Sequence, residues 1–146
     1  SPAQHTNARS LLAWNQTIGQ DPAQSYLLIA DDIYGNFYAI NVRMPGNFRP
    51  GEIIASFADN GGWETASESF IDFFSYCLSG DLASIFSDFE TGDTTLEQKA
   101  AEAAEHVINF YPPLFTKEGS IKGSSKAVVP AHEEFQMRMQ LLGIGA

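Results

Sequence analysis

The chain predicts an α+β fold in which a three-stranded antiparallel meander is covered by helices, and three observations carry that expectation. Residues 26–42, YLLIADDIYGNFYAINV, place two apolar, β-rich runs around Asp31-Asp32-Ile33-Tyr34-Gly35-Asn36. A Gly-Asn pair between such runs marks a hairpin, because glycine supplies the positive φ of a tight turn. After Asn60-Gly61-Gly62 the apolar spacing changes from alternation to the helical pattern Phe70, Phe73, Phe74, Cys77, Leu78. With 146 residues, 44% of them hydrophobic, there is material for one core and too little for two ordinary domains.

The elements follow in chain order. Residues 1–10, SPAQHTNARS, lack apolar period and read as a loose leader. Leu11-Leu12-Ala13-Trp14-Asn15 then forms an apolar cluster expected to dock on the core, ahead of the turn residues Gly19, Asp21 and Pro22. The first strand, about 26–31, is a continuous apolar run, the pattern of a strand covered on both faces or central in its sheet. The second, about 36–43, alternates, with Tyr38, Ile40 and Val42 on one side and Phe37, Ala39 and Asn41 on the other; one face is expected against helices. Breakers from Met44 to Gly51 precede a third strand at about 52–58.

Thr65-Ala66-Ser67-Glu68 fits a capping box and opens a helix at about 66–79, closed by Gly80. Asp81 caps a short helix at about 81–89 with Leu82, Ile85, Phe86 and Phe89 as its stripe. Thr94-Thr95-Leu96-Glu97 opens an Ala-rich helix at about 95–109, with Ala100, Ala101, Ala104, Val107 and Ile108 inward, stopped by Tyr111-Pro112-Pro113. Residues 117–126, KEGSIKGSSK, read as a flexible link, and Val128-Val129 as a brief edge strand. Pro130 starts the last helix, about 131–142, with Phe135, Met139 and Leu142 inward.

Charge restricts the partners. Eighteen Asp and Glu against eight Lys and Arg give a net charge of −10, which repels phosphate backbones and disfavours nucleic acid. Residues 51–105 hold twelve acidic side chains and a single basic one, Lys99. That field keeps a protein soluble and would steer a basic protein toward it. Cys77, the only cysteine, excludes an intrachain disulfide and points to a reducing, cytoplasmic setting. At an apolar helical position it reads as a buried, inert thiol. No apolar run is long enough for a membrane span, and the Asn15-Gln16-Thr17 sequon has no secretory context.

Catalytic signatures are weak. Asp31-Asp32 could be an acidic pair that shares a proton or holds a divalent ion, but neighbours on a strand point to opposite faces, and Asp and Asn favour turns. His132-Glu133 begins a zinc-helix pattern that fails at its second ligand, because Gln136 stands four residues on. No glycine spacing makes a phosphate cradle, and no serine sits in a nucleophile elbow. Phe48, Trp63 and Tyr34 fall near loop ends, where large rings either anchor a partner or cap the core. Tyr111-Pro112-Pro113-Leu114-Phe115 is stiff and extended, able to present rings to a ligand or to brace the sheet.

Taken together, the blocks LLIADDIYGNFYAI, SFADN with the following Trp63, SFIDFFSYCLSGDL and FYPPLFTKEGSIKGSSKAVVP resemble an uncharacterised bacterial domain family of the SUKH (Smi/Knr-like) superfamily, from about Leu11 onward. The resemblance implies helices packed on a sheet, no catalytic residues and no cofactor, and a protein-binding role, as in immunity proteins that neutralise toxins. It also implies an N-terminal region before Trp14-Asn15, so that a shortened form is the expectation for this sequence, and a Trp-containing pattern where this chain has TGDTTLEQKAAEAAEH.

The leading expectation is therefore a non-enzymatic, cytoplasmic binding module, a single domain over 1–146, whose partner is a protein such as a basic toxin domain. Asp31, Asp32, Tyr34, Asn36, Phe48, Trp63 and Glu64 are the expected contact residues, with rings as anchors and acids as a steering rim. Two alternatives stand beside it: a small hydrolase or metal-assisted enzyme using Asp31, Asp32 and His132, and a structural homo-oligomer, such as a homodimer, built through an exposed sheet edge.

Overall fold

Asp32 organises the first hairpin. Its Oδ1 accepts from the Tyr34 and Asn36 amides at 2.9 and 3.2 Å, and its Oδ2 accepts from the Asn36 carboxamide at 2.9 Å. This Asx-type turn, with Gly35 at φ 81°, reverses the chain between β1 (Tyr26–Asp31) and β2 (Phe37–Asn41). The computed structural model describes residues 15, 25–44, 46–60, 62–79, 87–103 and 105–142. The leader, the Leu11–Trp14 part of the apolar cluster, the Gly19 to Pro22 turn, the Gly80 and Asp81 caps and most of the 81–89 helix lie outside those residues. Residues 87–89 are helical.

The meander continues through β3 (Ile53–Ser56) and gains a fourth strand, β4 (Trp63–Ser67), in the order β1-β2-β3-β4 with every pair antiparallel. The capping box expected at Thr65–Glu68 is thus strand, and the helix expected from residue 66 starts later, as α1 (Phe70–Ser79). Its cap is Ser69, whose Oγ accepts from the Asp72 amide at 3.1 Å. Thr65 instead donates its hydroxyl to Glu52 at 3.2 Å.

A second correction concerns residues 95–109. Helix α2 (Thr94–Glu102) is capped by Asp93, which accepts from the Leu96 amide at 3.0 Å, and ends after nine residues. Glu105 at φ 60° then turns the chain into strand β5 (His106–Tyr111). HVINFY is β-branched and aromatic, and β6 (Ser125–Pro130) offers it a partner in full register, from His106↔Pro130 to Tyr111↔Ser125. Tertiary pairing overrides the helical spacing that Ala100, Val107 and Ile108 share. The brief edge strand expected at Val128-Val129 is this six-residue partner. Helix α3 (Ala131–Leu142) begins and ends as the sequence predicts.

The strand alternation read for β2 is correct, but both of its faces are packed. Phe37 and Ala39 join Leu28, Ile54, Val107, Ala131, Phe135 and Met139 in a cluster that unites both sheets with α3. Tyr38, with Ile53 and Ala55, meets Phe73 of α1 on the opposite face. A third cluster gathers Tyr34, Ala58, Phe89, Ala100, Ile108 and Phe110, and the Ile108 amide donates to the Ile33 carbonyl at 2.6 Å, tying β5 to the first hairpin.

Strand β1 stands at the sheet edge, not at its centre, with Leu27 at 44% exposure. The edge is held by Asn15. Its carboxamide donates to the Leu28 carbonyl and accepts from the Leu28 amide, each at 2.8 Å, so one side chain imitates one residue of a neighbouring strand. Such capture blunts an edge that would otherwise template pairing with another chain.

Candidate functional site

Two features stand out around this frame: a buried polar cluster under the first turn and an uncovered helix beside β4. The cluster is built from α3. Arg138 is 2% exposed, and all five of its N–H groups are engaged. Nε donates to Glu134 Oε1 at 3.1 Å, Nη1 to the Ser56 carbonyl and hydroxyl at 3.1 and 3.3 Å, and Nη2 to Glu134 Oε1 at 2.7 Å and to the Gly35 carbonyl. A Cβ on Gly35 would stand 3.0 Å from Nη2, so the bare glycine is what admits the guanidinium. Glu134 is 8% exposed, and its second oxygen, Oε2, has no hydrogen-bond partner among the described residues.

Burial pushes the Asp31 carboxyl well above the usual carboxylate range, with Asp32, Glu105 and Glu134 adding repulsion. Burial also lifts Asp32, to about 6, against the hydrogen bonds from Asn36 and Tyr34 and the nearby Arg138 charge. Glu134 moves the same way through burial, opposed by Arg138. The unfolded Asp32 loses its proton near 3.8, whereas the folded one holds it to about 6, so the native state binds the extra proton between those values. Folding stability is expected to fall as pH rises through this window and to stay lower above it, by about 1–3 kcal/mol for Asp32 alone. Urea unfolding at about pH 4.5 and about pH 7.5 measures this, and a stability that climbs with pH across the interval refutes it.

The residues expected to contact a partner are dispersed. Asp32 is committed to the turn. Asn36 is fully buried, its Oδ1 accepting from the Ala58 amide at 2.9 Å. Tyr34 is 7% exposed, stacks on Phe89 at 6.1 Å and donates its hydroxyl to Glu97 at 2.6 Å. Phe48 and Trp63 are half-buried against the main core, Trp63 lying 4.9 Å from the Tyr26 ring. Asp31 is half-buried at the end of β1, and Glu64 is exposed on β4. The structure therefore brings Asp31, Asp32, Tyr34 and Asn36 together as the inner wall of the fold, with Glu64 alone fully at the surface. His132 lies in the first turn of α3, and among the described residues no group of three or more His, Cys, Asp or Glu side chains is arranged to hold a metal ion.

Helix α1 was expected to bury Phe70, Phe73, Phe74, Cys77 and Leu78. Only Phe73 is buried, at 5.3 Å from the Tyr38 ring, with Cys77 half-buried beside it and its thiol raised by burial. Phe70, Ile71, Phe74, Tyr76 and Leu78 are exposed, the first and third stacked on each other at 6.1 Å. The sequence carries a signal for this. FIDFFSYCLS is apolar nearly all round, and a helix lying on one sheet covers only one of its sides. Glu134 and Arg138 left a fainter trace, as an i, i+4 acid–base pair directly beside the Phe135–Met139 stripe.

No helix among the described residues is long and apolar enough to cross a membrane. Comparison with known proteins finds no match among curated proteins and none among solved structures. A family model, described as protein of unknown function DUF2625, matches residues 1–134. Spanning most of the chain, that match establishes that the protein belongs to the DUF2625 family.

Proposed function

We propose that the chain is a non-enzymatic, cytoplasmic protein-binding module of SUKH type, of the kind that serves as a bacterial toxin-immunity protein, and that α1 is its docking face. One observation carries the reading: five large apolar side chains stand exposed on ten residues of helix, at 48% for Phe70, 75% for Ile71, 54% for Phe74, 40% for Tyr76 and 73% for Leu78. Contiguous apolar surface rimmed by polar groups marks interaction sites. The rim here is acidic, with Glu64, Glu68 and Asp72 exposed and no Lys or Arg on α1.

That rim selects the occupant. A basic protein surface carrying an apolar projection satisfies both rings and charges. A second copy docked face to face would set the same acids against themselves, and an anionic membrane or nucleic acid meets the repulsion of a −10 chain. Of the sheet edges that the homo-oligomer alternative could use, the one at β1 is in part occupied by Asn15.

The test pairs the native chain with an Ile71→Ser/Phe74→Ser variant. Both side chains are exposed, so folding stability should change by no more than about 0.5 kcal/mol per site. A basic protein retained by the native chain from bacterial lysate is purified and titrated against both. Binding is expected to weaken by at least about 30-fold in the variant, the size of a hot-spot loss, and the association rate to drop with added salt. Equal binding by the variant, an acidic partner, or a concentration-dependent dimer that the substitutions abolish would each overturn the reading.

A further inference from the structure

Beside the rings of α1, one edge of the main sheet is open. Strand β4 pairs with β3 on one side and, among the described residues, with no strand on the other. The register shows which backbone groups face outward. Asn41 donates its amide to the Glu52 carbonyl, so on β2 the odd-numbered residues turn toward β3, and their partners Ile54 and Ser56 turn toward β2. Ile53 and Ala55 therefore turn toward β4, where Ala55 meets Glu64. That leaves the N–H and C=O groups of Trp63 and Thr65 directed away from the sheet. Around them Glu64, Thr65 and Ala66 are exposed, and of all the strands β4 is the one against which α1 packs most extensively.

We propose that β4 takes up an extended, basic segment of a partner protein as a fifth strand of the sheet. The inference rests on the reading of α1 as a docking face and names the shape of what docks there. Main-chain groups at an open edge give an added strand its affinity, and alternate side chains give it specificity. Ala55 and Phe73 share a cluster, which puts Glu64, opposite Ala55, on the face that α1 occupies. An added strand lengthens the sheet on that face, and its apolar side chains there offer α1 the cover that the four strands do not. Charge selects the occupant. Residues 63–79 carry Glu64, Glu68 and Asp72 and no Lys or Arg. A second copy joined edge to edge would bring the three acids of both chains to one seam, whereas a Lys or Arg across from Glu64 makes a favourable cross-strand pair.

The test follows amide hydrogen exchange and chemical shifts of the full chain at neutral pH with the peptide acetyl-Thr-Lys-Thr-Ile-Thr-Lys-Thr-amide, which sets Lys and Ile on one face of a strand. A second peptide, with proline at its third and fifth positions, keeps the charge and the isoleucine but cannot complete a ladder, and a third has Glu in place of Lys. The first peptide is expected to bind saturably, to slow exchange of the Trp63 and Thr65 amides by at least about tenfold, and to bind at least about tenfold more tightly than either control, the worth of one or two ladder hydrogen bonds. Docking on the α1 rings alone would leave those two amides exchanging freely. Thr65→Pro removes an outward N–H, a change that edge strands tolerate, and should abolish binding. Because it also loses the hydroxyl contact to Glu52, Glu64→Lys at an exposed side chain serves as a second variant, expected to reverse the preference toward the Glu peptide. No saturable binding of the first peptide, binding without protection of Trp63 and Thr65, equal binding of the proline peptide, or protection of those amides by self-association of the chain alone overturns the proposal. Peptide binding that leaves the amides unprotected but is lost in Ile71→Ser/Phe74→Ser would sink the strand and keep the α1 reading, whereas protection undiminished in that variant would keep the strand and sink the α1 reading.

Discussion

Replacing Arg138 with methionine is expected to lower folding stability by about 3–5 kcal/mol, the range found when one member of a buried charged pair is removed. Methionine fills much of the volume but donates nothing. Glu134 loses both donors to Oε1 and, being 8% exposed, cannot recruit bulk water in their place. The Ser56 carbonyl and the Gly35 carbonyl, held by the same guanidinium, lose their donors as well. These contacts join α3 to β3 and to the first turn across 82 and 103 residues of sequence, so the loss is felt by the whole fold. Arg138→Lys is not expected to restore it, because an ammonium lacks the planar fork that reaches two carbonyls and a carboxylate at once. The midpoint of urea unfolding at fixed pH is the measurement, and a shift worth less than about 1 kcal/mol would remove the cluster from the account of stability.

Phe37→Ala is expected to cost a comparable amount, about 3–5 kcal/mol, through lost transfer free energy and the cavity left behind. Phe37 is fully buried, packs edge-on against Phe135 at 4.6 Å, and carries the Arg138 guanidinium at 5.3 Å over its ring. The two substitutions should not add. With Arg138 gone the cation–ring contact is already absent, so the double variant should lose less than the sum by about 0.5–2 kcal/mol. Phe74 supplies the contrast. It is the same residue type at 54% exposure, and its replacement by serine should leave the unfolding midpoint almost unmoved.

The difference between those two phenylalanines shows how far the sequence could be read. Strands β1 to β3 and helix α3 were legible because their patterns are local: a Gly-Asn turn, strict alternation through Phe37 to Asn41, and a Pro-initiated stripe of Phe135 and Met139. The segment 106–111 was misread because Ala100, Val107 and Ile108 also fit a helical spacing, and its strand state depends on a distant partner, Ser125–Pro130, that pairs from Tyr111↔Ser125 to His106↔Pro130. Residues 63–67 were misread for a similar reason, since Thr65 and Glu68 imitate a capping box until β3 claims the strand.

The expected contact residues illustrate the same limit. Asp32 and Asn36 were correctly placed at a turn, but their side chains face inward, bonding to each other and to Ala58, and Tyr34 is held by Glu97 and Phe89. A turn residue's chemistry is visible in sequence, whereas the direction it points is set by what packs beneath it.

By itself, the sequence determined the sheet–helix composition, the meander, the acidic field and the turn chemistry at Asp32, all of which depend on neighbours a few residues apart. Only the tertiary structure decided that β5 is a strand, that α1 leaves Phe70, Ile71, Phe74 and Leu78 uncovered, and that Glu134 and Arg138 lie under the first turn. Those outcomes depend on which distant surfaces compete for the same apolar and polar groups, and local spacing does not encode the winner.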